Sequence, residues 1–390
     1  YWQTISNFLY IIVLLILAGV AISLSIGQNG IFRRAQNAVE KYEEAAKNEQ
    51  SELNKVSDIM DGYLNGNAGN QGEYNTASTV ADAIKQNKPF EKDTTITDSC
   101  NPTNSIRVPA GFKVAQDSAT TVEDGIVIED RDGNQFVWIP AKTEDEGGAT
   151  INLSAGGTAT IIYKRTAFLG EDITTDYAET IPSDEETSVN AWGGYYIGRY
   201  EAGDKESTQA KTMREEVASQ ENTIAIKSGQ APYNYIAQEN AKTLAEGMNT
   251  AQGYATATTK LVSSYAWDTA ISFIQIKNSD YGTNSPEGNY SNTTFDYIDI
   301  TGKKQTKSNG SQVLVPTGQT RAVSNIYDMG GNLLEYTTER YYDGYIPNIS
   351  RGGKYISTYD EAQAGIRYIN SGTADIDIGF RVILYCSTEN

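Results

Sequence analysis

The stretch GIVIEDRDGNQFVWIP (Gly125 to Pro140) decides the fold of the larger part of this chain. Two β-branched and aromatic runs, Ile126 to Ile128 and Phe136 to Ile139, flank Asp132-Gly133, a dipeptide suited to a tight hairpin turn. Similar short runs lie around it: IRVPAGFKV (Ile106 to Val114), TATIIYKRT (Thr158 to Thr166) and GGYYIGRYEA (Gly193 to Ala202). Two helical patches follow, YNYIAQENAKTLAEGM (Tyr233 to Met248) and YAWDTAISFIQIK (Tyr265 to Lys277). From Asn278 the chain returns to Gly- and Asn-rich loops and short strands. Strands, then helices, then loops predict an irregular α+β domain over 106–390. Upstream, 65–105 is polar and reads as a linker, with a short helix at Ala77 to Gln86.

The first 64 residues are of another kind. FLYIIVLLILAGVAISLSI (Phe8 to Ile26) carries no charge, and as a helix it spans about 29 Å, the thickness of a bilayer's hydrocarbon core. Beyond it Phe32, Ala35, Val39, Tyr42, Ala46, Leu53, Val56 and Met60 continue an apolar stripe stepping by threes and fours, interrupted at Glu49. The spacing predicts one helix over 1–64, apolar all round in its first half and amphipathic in its second.

Composition narrows the function. The 390 residues carry a formal charge of -19, which excludes nucleic acid as a partner of the domain because phosphate binding needs a basic surface. There is no histidine, which removes Ser-His-Asp catalysis, His-ligated zinc and His-based pH switching. The two cysteines, Cys100 and Cys386, flank the domain; an even count outside the cell favours a disulfide between them, with two unpaired thiols as the alternative.

The segment Ile11 to Glu52 resembles the N-terminal helix of type IV pilin-like proteins of Gram-positive bacteria. The resemblance implies residence in the cytoplasmic membrane, trimming by a prepilin peptidase, and assembly by pilus machinery into a homopolymeric extracellular filament. Phe8, Ile11, Ile12, Leu14, Leu15, Leu17, Val20, Ile22, Phe32, Val39 and Leu53 would line its core. Ile5 stands where many pilins carry a register-setting Glu.

A second resemblance covers Ile106 to Cys386. NIYDMGGNLLEYTTERY (Asn325 to Tyr341), SRGGKY (Ser350 to Tyr355) and GFRVIL (Gly379 to Leu384) are similar to closing motifs of the formylglycine-generating, sulfatase-modifying family, which has a variant C-type lectin fold. FVWIPA (Phe136 to Ala141), GGYYIGRYEAG (Gly193 to Gly203) and SSYAWDTAISF (Ser263 to Phe273) match its earlier elements. Active members carry a copper-binding cysteine pair soon after the RGG motif; here KYISTYDEAQAGIRY follows, without cysteine, which implies a non-catalytic domain. In GNLLEY, Asn332 and Glu335 occupy positions where the family often binds calcium; the other reading is a turn-capping Asn and a Glu paired with Arg. Trp138, Trp192, Trp267 and the Tyr pairs 195–196 and 341–342 could form a sugar-binding face, with core packing expected for most of them.

The combined expectation is a structural pilus subunit displaying a non-catalytic outer domain. Its rivals are a minor pilin or tip adhesin, a membrane-anchored binding protein with a lectin-like domain, and a tethered oxidoreductase.

Overall fold

The computed structural model describes residues 73–209, 223–342 and 347–388. The helix expected over 1–64, with all its filament-core residues, lies outside them. Glu73–Asn390 forms one compact unit. Among the described residues it is β-rich with four α-helices.

The chain runs through α1 (Val80–Gln86), β1 (Thr94–Thr97), β2 (Ser105–Val108), β3 (Lys113–Val114), β4 (Val127–Glu129), β5 (Gln135–Pro140), β6 (Ala149–Asn152), β7 (Thr158–Ile161) and β8 (Tyr177–Ala178). It continues through α2 (Ser183–Trp192), β9 (Gly194–Gly198), β10 (Gly203–Asp204), β11 (Ile224–Ala225), β12 (Ala231–Pro232), α3 (Gln238–Gln252), β13 (Ala257–Leu261) and α4 (Ser264–Ile274). Last come β14 (Phe295–Ile298), β15 (Lys304–Lys307), β16 (Leu334–Tyr341), β17 (Asn348–Arg351), β18 (Tyr368–Asn370), β19 (Ile378–Phe380) and β20 (Val382–Cys386).

The core is an antiparallel sheet in the order β13-β20-β9-β5-β4-β3. Its middle strands are apolar without interruption because both faces are covered. Phe136, Trp138, Tyr196 and Leu384 point into one apolar cluster with α1, β1, β2 and α3 residues such as Val80, Ile96, Ile106 and Leu244. Val137, Ile139, Tyr195, Ile197 and Ile383 point into the other, covered by Trp267, Ala270, Ile271 and Ile274 of α4. Neighbouring residues thus serve opposite cores, as the two-residue period of a strand requires. A second sheet, β18-β17-β16-β19, carries the Leu334 to Tyr341 and Ser350-Arg351 parts of the closing motifs, GFRVIL runs from it into β20, and β8 adds to β16.

The hairpin read from Asp132-Gly133 is present. β4 pairs with β5 through Val127 and Val137, Gly133 has φ +85°, and Asp130 Oδ1 accepts from the backbone N of Asp132 and Asn134. The linker reading is corrected from Glu73 onward. Thr79 caps α1, β1 and β2 form a ladder, and Val80, Ala83, Phe90 and Ile96 are buried. Polar residues dominate this stretch because each short element needs only one or two apolar contacts. Helix α3 begins later than its apolar pattern, because Pro232 lies in β12 and Tyr235 takes φ +54°, which no helix continues through.

Most of the aromatic face is core. Trp138, Trp267, Tyr195 and Tyr196 are buried, and the last two face opposite clusters. Trp192 lies under the Arg107 guanidinium at 4.1 Å, Tyr341 packs edge-on against Tyr177, and Tyr342 alone of the set is largely exposed at 66%. These residues do not converge on a ligand face.

Candidate functional site

Arg351 ends β17 and opens the segment where the resemblance implies copper-binding thiols. Its guanidinium is buried and each of its three nitrogens donates: Nη2 to Asp268 Oδ1 (2.5 Å) and Gly365 O (3.0 Å), Nε to Ile366 O (2.7 Å), and Nη1 to Ser264 Oγ (3.2 Å). Asp268 Oδ2 accepts from Arg367 Nη2 at 2.5 Å, and Arg367 Nε reaches Glu339 Oε2 at 2.9 Å. Glu339 Oε1 receives Arg165 Nη1 at 3.0 Å. Burial opposes charge on Glu339, but Arg351 and Arg367 outweigh it and hold its carboxyl below the ordinary value. Both acids are satisfied by partners within the fold, so this lattice fastens α4 to β16 and β17.

Gly352 (φ +98°) and Gly353 (φ +72°) then turn the chain; a Cβ on Gly353 would lie 2.1 Å from Ala362 O. Lys354 pairs with Asp377 at 2.5 Å, and the Ser357 carbonyl accepts from Ser291 N at 2.8 Å. The side chains after the turn are Lys354, Tyr355, Ile356, Ser357, Thr358 and Tyr359, none a thiolate. Hydroxyl and aliphatic groups do not bind a soft metal, so these residues do not fit the copper centre. Among the described residues no group of three or more His, Cys, Asp or Glu is placed to hold a metal.

The cysteines are elsewhere, and the disulfide expectation is corrected: both are free thiols. Cys386 is buried on β20 with its Sγ 3.6 Å from the Arg107 carbonyl, inside the span of β2. Cys100 is exposed in the loop that joins β1 to β2, beyond the last paired residues Thr97 and Ser105. Burial pushes the Cys386 thiol far above its ordinary range, leaving it inert.

Asn332 and Glu335 also have protein partners. Asn332 (φ +57°) donates to Glu201 and to Val315 O (3.1 Å), and accepts from Asn289 Nδ2 (2.8 Å) and Val315 N (3.1 Å). Glu335 meets Arg381 in a two-point pair, Nε to Oε2 at 2.8 Å and Nη2 to Oε1 at 2.6 Å. A calcium ion on Glu335 would compete with that guanidinium for both oxygens. Glu335 therefore takes the Arg-paired arrangement, Asn332 ties distant segments together rather than capping its own turn, and neither side chain fits a calcium site as it stands. Around Arg381 three buried acids gather: Glu201, Asp328 and Glu335. Burial raises all three carboxyls, Glu335 to about 7 despite Arg381.

Two polar features escaped the sequence. Tyr163, Glu185, Ser263 and Tyr385 form a buried cluster. Tyr163 donates to Glu185, its hydroxyl lies 2.9 Å from that of Tyr385, and Ser263 Oγ donates to Glu185 Oε1 at 3.1 Å. Glu179 accepts from the Thr338 hydroxyl and from Ser264 N at 3.0 Å; burial, then the nearby Glu339 charge, pushes its carboxyl up to about 8. These residues come from separate segments and share no spacing, so no motif announces them.

Compared with known proteins, residues 167–385 match the family described as sulfatase-modifying factor enzyme 1-like domain, more than half of the chain. No curated protein matches. Similar solved structures include PvdO from Pseudomonas aeruginosa, at 15% identity and TM-score 0.37, covering 66% of this chain and 97% of that one. The crystal structure of CarF is 15% identical, with TM-score 0.34, and covers 54% of this chain and 95% of that one. Treponema denticola variable protein 1 is 13% identical, with TM-score 0.29, and covers 65% of this chain and 96% of that one. The family match corrects the expectation of a pilus structural subunit, because most of the chain is a domain of a family whose members are often enzymes. The pilin, filament and transmembrane-helix readings lose their support with it, and no helix of the described residues is long and apolar enough to cross a membrane. The chain belongs to the sulfatase-modifying factor enzyme 1-like domain family.

Proposed function

We propose that the domain is a non-catalytic member of its family that binds a ligand rather than oxidising one. The observation that carries this is the segment after Arg351-Gly352-Gly353: it presents Ile356, Ser357, Thr358 and Tyr359 where the resemblance implies a cysteine pair. Neither cysteine lies in that segment: Cys386 is buried in the central sheet and Cys100 is exposed in the loop between β1 and β2. Thiol-based oxidation needs a thiolate at the reacting centre, and hydroxyl groups do not replace it. The buried guanidiniums of Arg351, Arg367 and Arg381 are engaged in ion pairs that hold elements together, which suits a rigid scaffold.

The test is to incubate the full chain with copper, oxygen and a cysteine-containing peptide and to follow aldehyde formation by mass spectrometry. No aldehyde above the protein-free control is expected. Copper-dependent aldehyde formation would overturn the proposal.

A further inference from the structure

One open cleft, of about 420 Å³, has no residue of the segment after Arg351 in its walls. Its walls come from the loop after β5 (Glu144, Asp145), the segment after β7 (Tyr163 to Arg165), the loop between β7 and β8 (Ile173), the start of α2 (Ile181, Glu186) and the start of α4 (Tyr265). Tyr163 and Tyr265 stack at one side, with centroids 6.0 Å apart and planes 27° apart. Ile173 and Ile181 are half-buried there, so the cleft has an apolar wall.

Its charges are unequally committed. Arg165 is turned inward, to Glu339 and to the Tyr177 carbonyl, and lies 5.6 Å from the Tyr265 ring. Lys164 is exposed at the mouth. Glu144, Asp145 and Glu186 are also exposed, and the salt bridges found among the described residues include none of them. Three uncommitted carboxylates against one uncommitted ammonium leave the mouth negative, on a chain of net charge -19 that attracts cations at longer range.

We propose that this cleft binds an alkylammonium group, its stem against Ile173, Ile181 and the Tyr265 edge and its head among Glu144, Asp145 and Glu186. A lysine side chain and a free diamine share this chemistry. The inference rests on the reading that the domain binds, but not on the fate of its oxidase chemistry. A long cationic stem covers apolar surface while its head stays with charged partners. A neutral isostere loses the carboxylate contacts, and an anion is repelled by them.

The test titrates the full chain calorimetrically with 1,5-diaminopentane and with a short lysine-containing peptide, against the Nε-acetylated peptide as the neutral control. Saturable binding of at least one amine, absent with the acetylated peptide, is expected. Tighter binding of the peptide identifies a protein lysine as the source, and tighter binding of the diamine identifies a free amine. The double variant Asp145→Asn/Glu186→Gln weakens binding roughly fivefold, the scale of exposed ion pairs. Lys164→Gln changes it in the opposite direction, a sign that damage to the fold would not produce. No saturable amine binding, equal binding of the acetylated peptide, or variants that leave affinity unchanged would each overturn the proposal. An aldehyde product in the oxidation assay would instead overturn the non-catalytic reading and leave this titration standing.

Discussion

Asp268 shows how much one residue carries in this interior. It is fully buried and accepts from Arg351 and Arg367, one guanidinium on each oxygen, while Glu339 accepts from Arg367 Nε and Arg165 Nη1. Removing one acid from such a lattice strands buried positive charge, so Asp268→Asn is expected to cost about 3–5 kcal/mol of folding stability. Denaturant unfolding measures it, and a loss under about 1 kcal/mol would show that the guanidiniums find other partners. The thiols make a second residue-scale prediction. One equivalent, Cys100, reacts with a thiol reagent in the native protein; Cys386 reacts only after unfolding, and reductant leaves the melting temperature unchanged. Neither outcome follows from the sequence. The two cysteines flank the domain in the chain, but one side chain faces the core and the other faces solvent.

At the scale of elements, the boundaries follow local chemistry wherever that chemistry is strong. The turn at Asp130 to Asn134 was legible because Gly133 accepts left-handed backbone and the flanking runs are β-branched and aromatic. Helix α4 was legible too. Ser263 caps it by accepting from Ala266 N at 3.1 Å, and the same hydroxyl donates to Glu185. Ser263→Ala should therefore cost more than the ~1 kcal/mol of an ordinary cap, because a buried carboxyl loses a donor as well. Comparison with Thr79→Ala, a cap on α1, measures that excess; equal losses would show that the Glu185 bond adds nothing. Helix α2 was not legible: SDEETSVNAW has little apolar periodicity, and its buried positions include Glu185 and Ser188. The turn after β17 depends on close approach, so Gly353→Ala forces Ala362 to move and should destabilise by about 1–3 kcal/mol. The same unfolding assay reads it, and an unchanged midpoint would show that the loop yields freely.

The whole molecule carries a signature of buried acids. Glu179 has its carboxyl enclosed by Thr338, Ser264 and Glu339 and raised from 4.5 to about 8. A carboxyl raised on folding contributes stability that is complete below its unfolded value and lost as pH climbs to its folded value. The domain should thus lose stability between about pH 4.5 and 8 on account of Glu179, with Glu201 and Glu335 adding to the same slope. Melting temperatures across that window test it. Glu179→Gln should flatten part of the decline, and a parallel curve for the variant would show that other groups set the slope.

What the amino-acid sequence determined by itself is the set of local preferences: the hairpin, the apolar strands, the approximate helices, the closing motifs that mark the family, and the absence of thiols in the segment just after Arg351-Gly352-Gly353. These are short-range facts of backbone freedom, side-chain period and side-chain chemistry. Only the tertiary structure decided which polar residues meet. It spent Arg351 on Asp268 and Arg381 on Glu335, left Cys100 and Cys386 apart, and folded residues 73–105 into the core. It also brought Tyr163, Glu185, Ser263 and Tyr385 together from four separate segments. Burial and electrostatic partnership arise from contacts between distant segments, and no spacing along the chain records them.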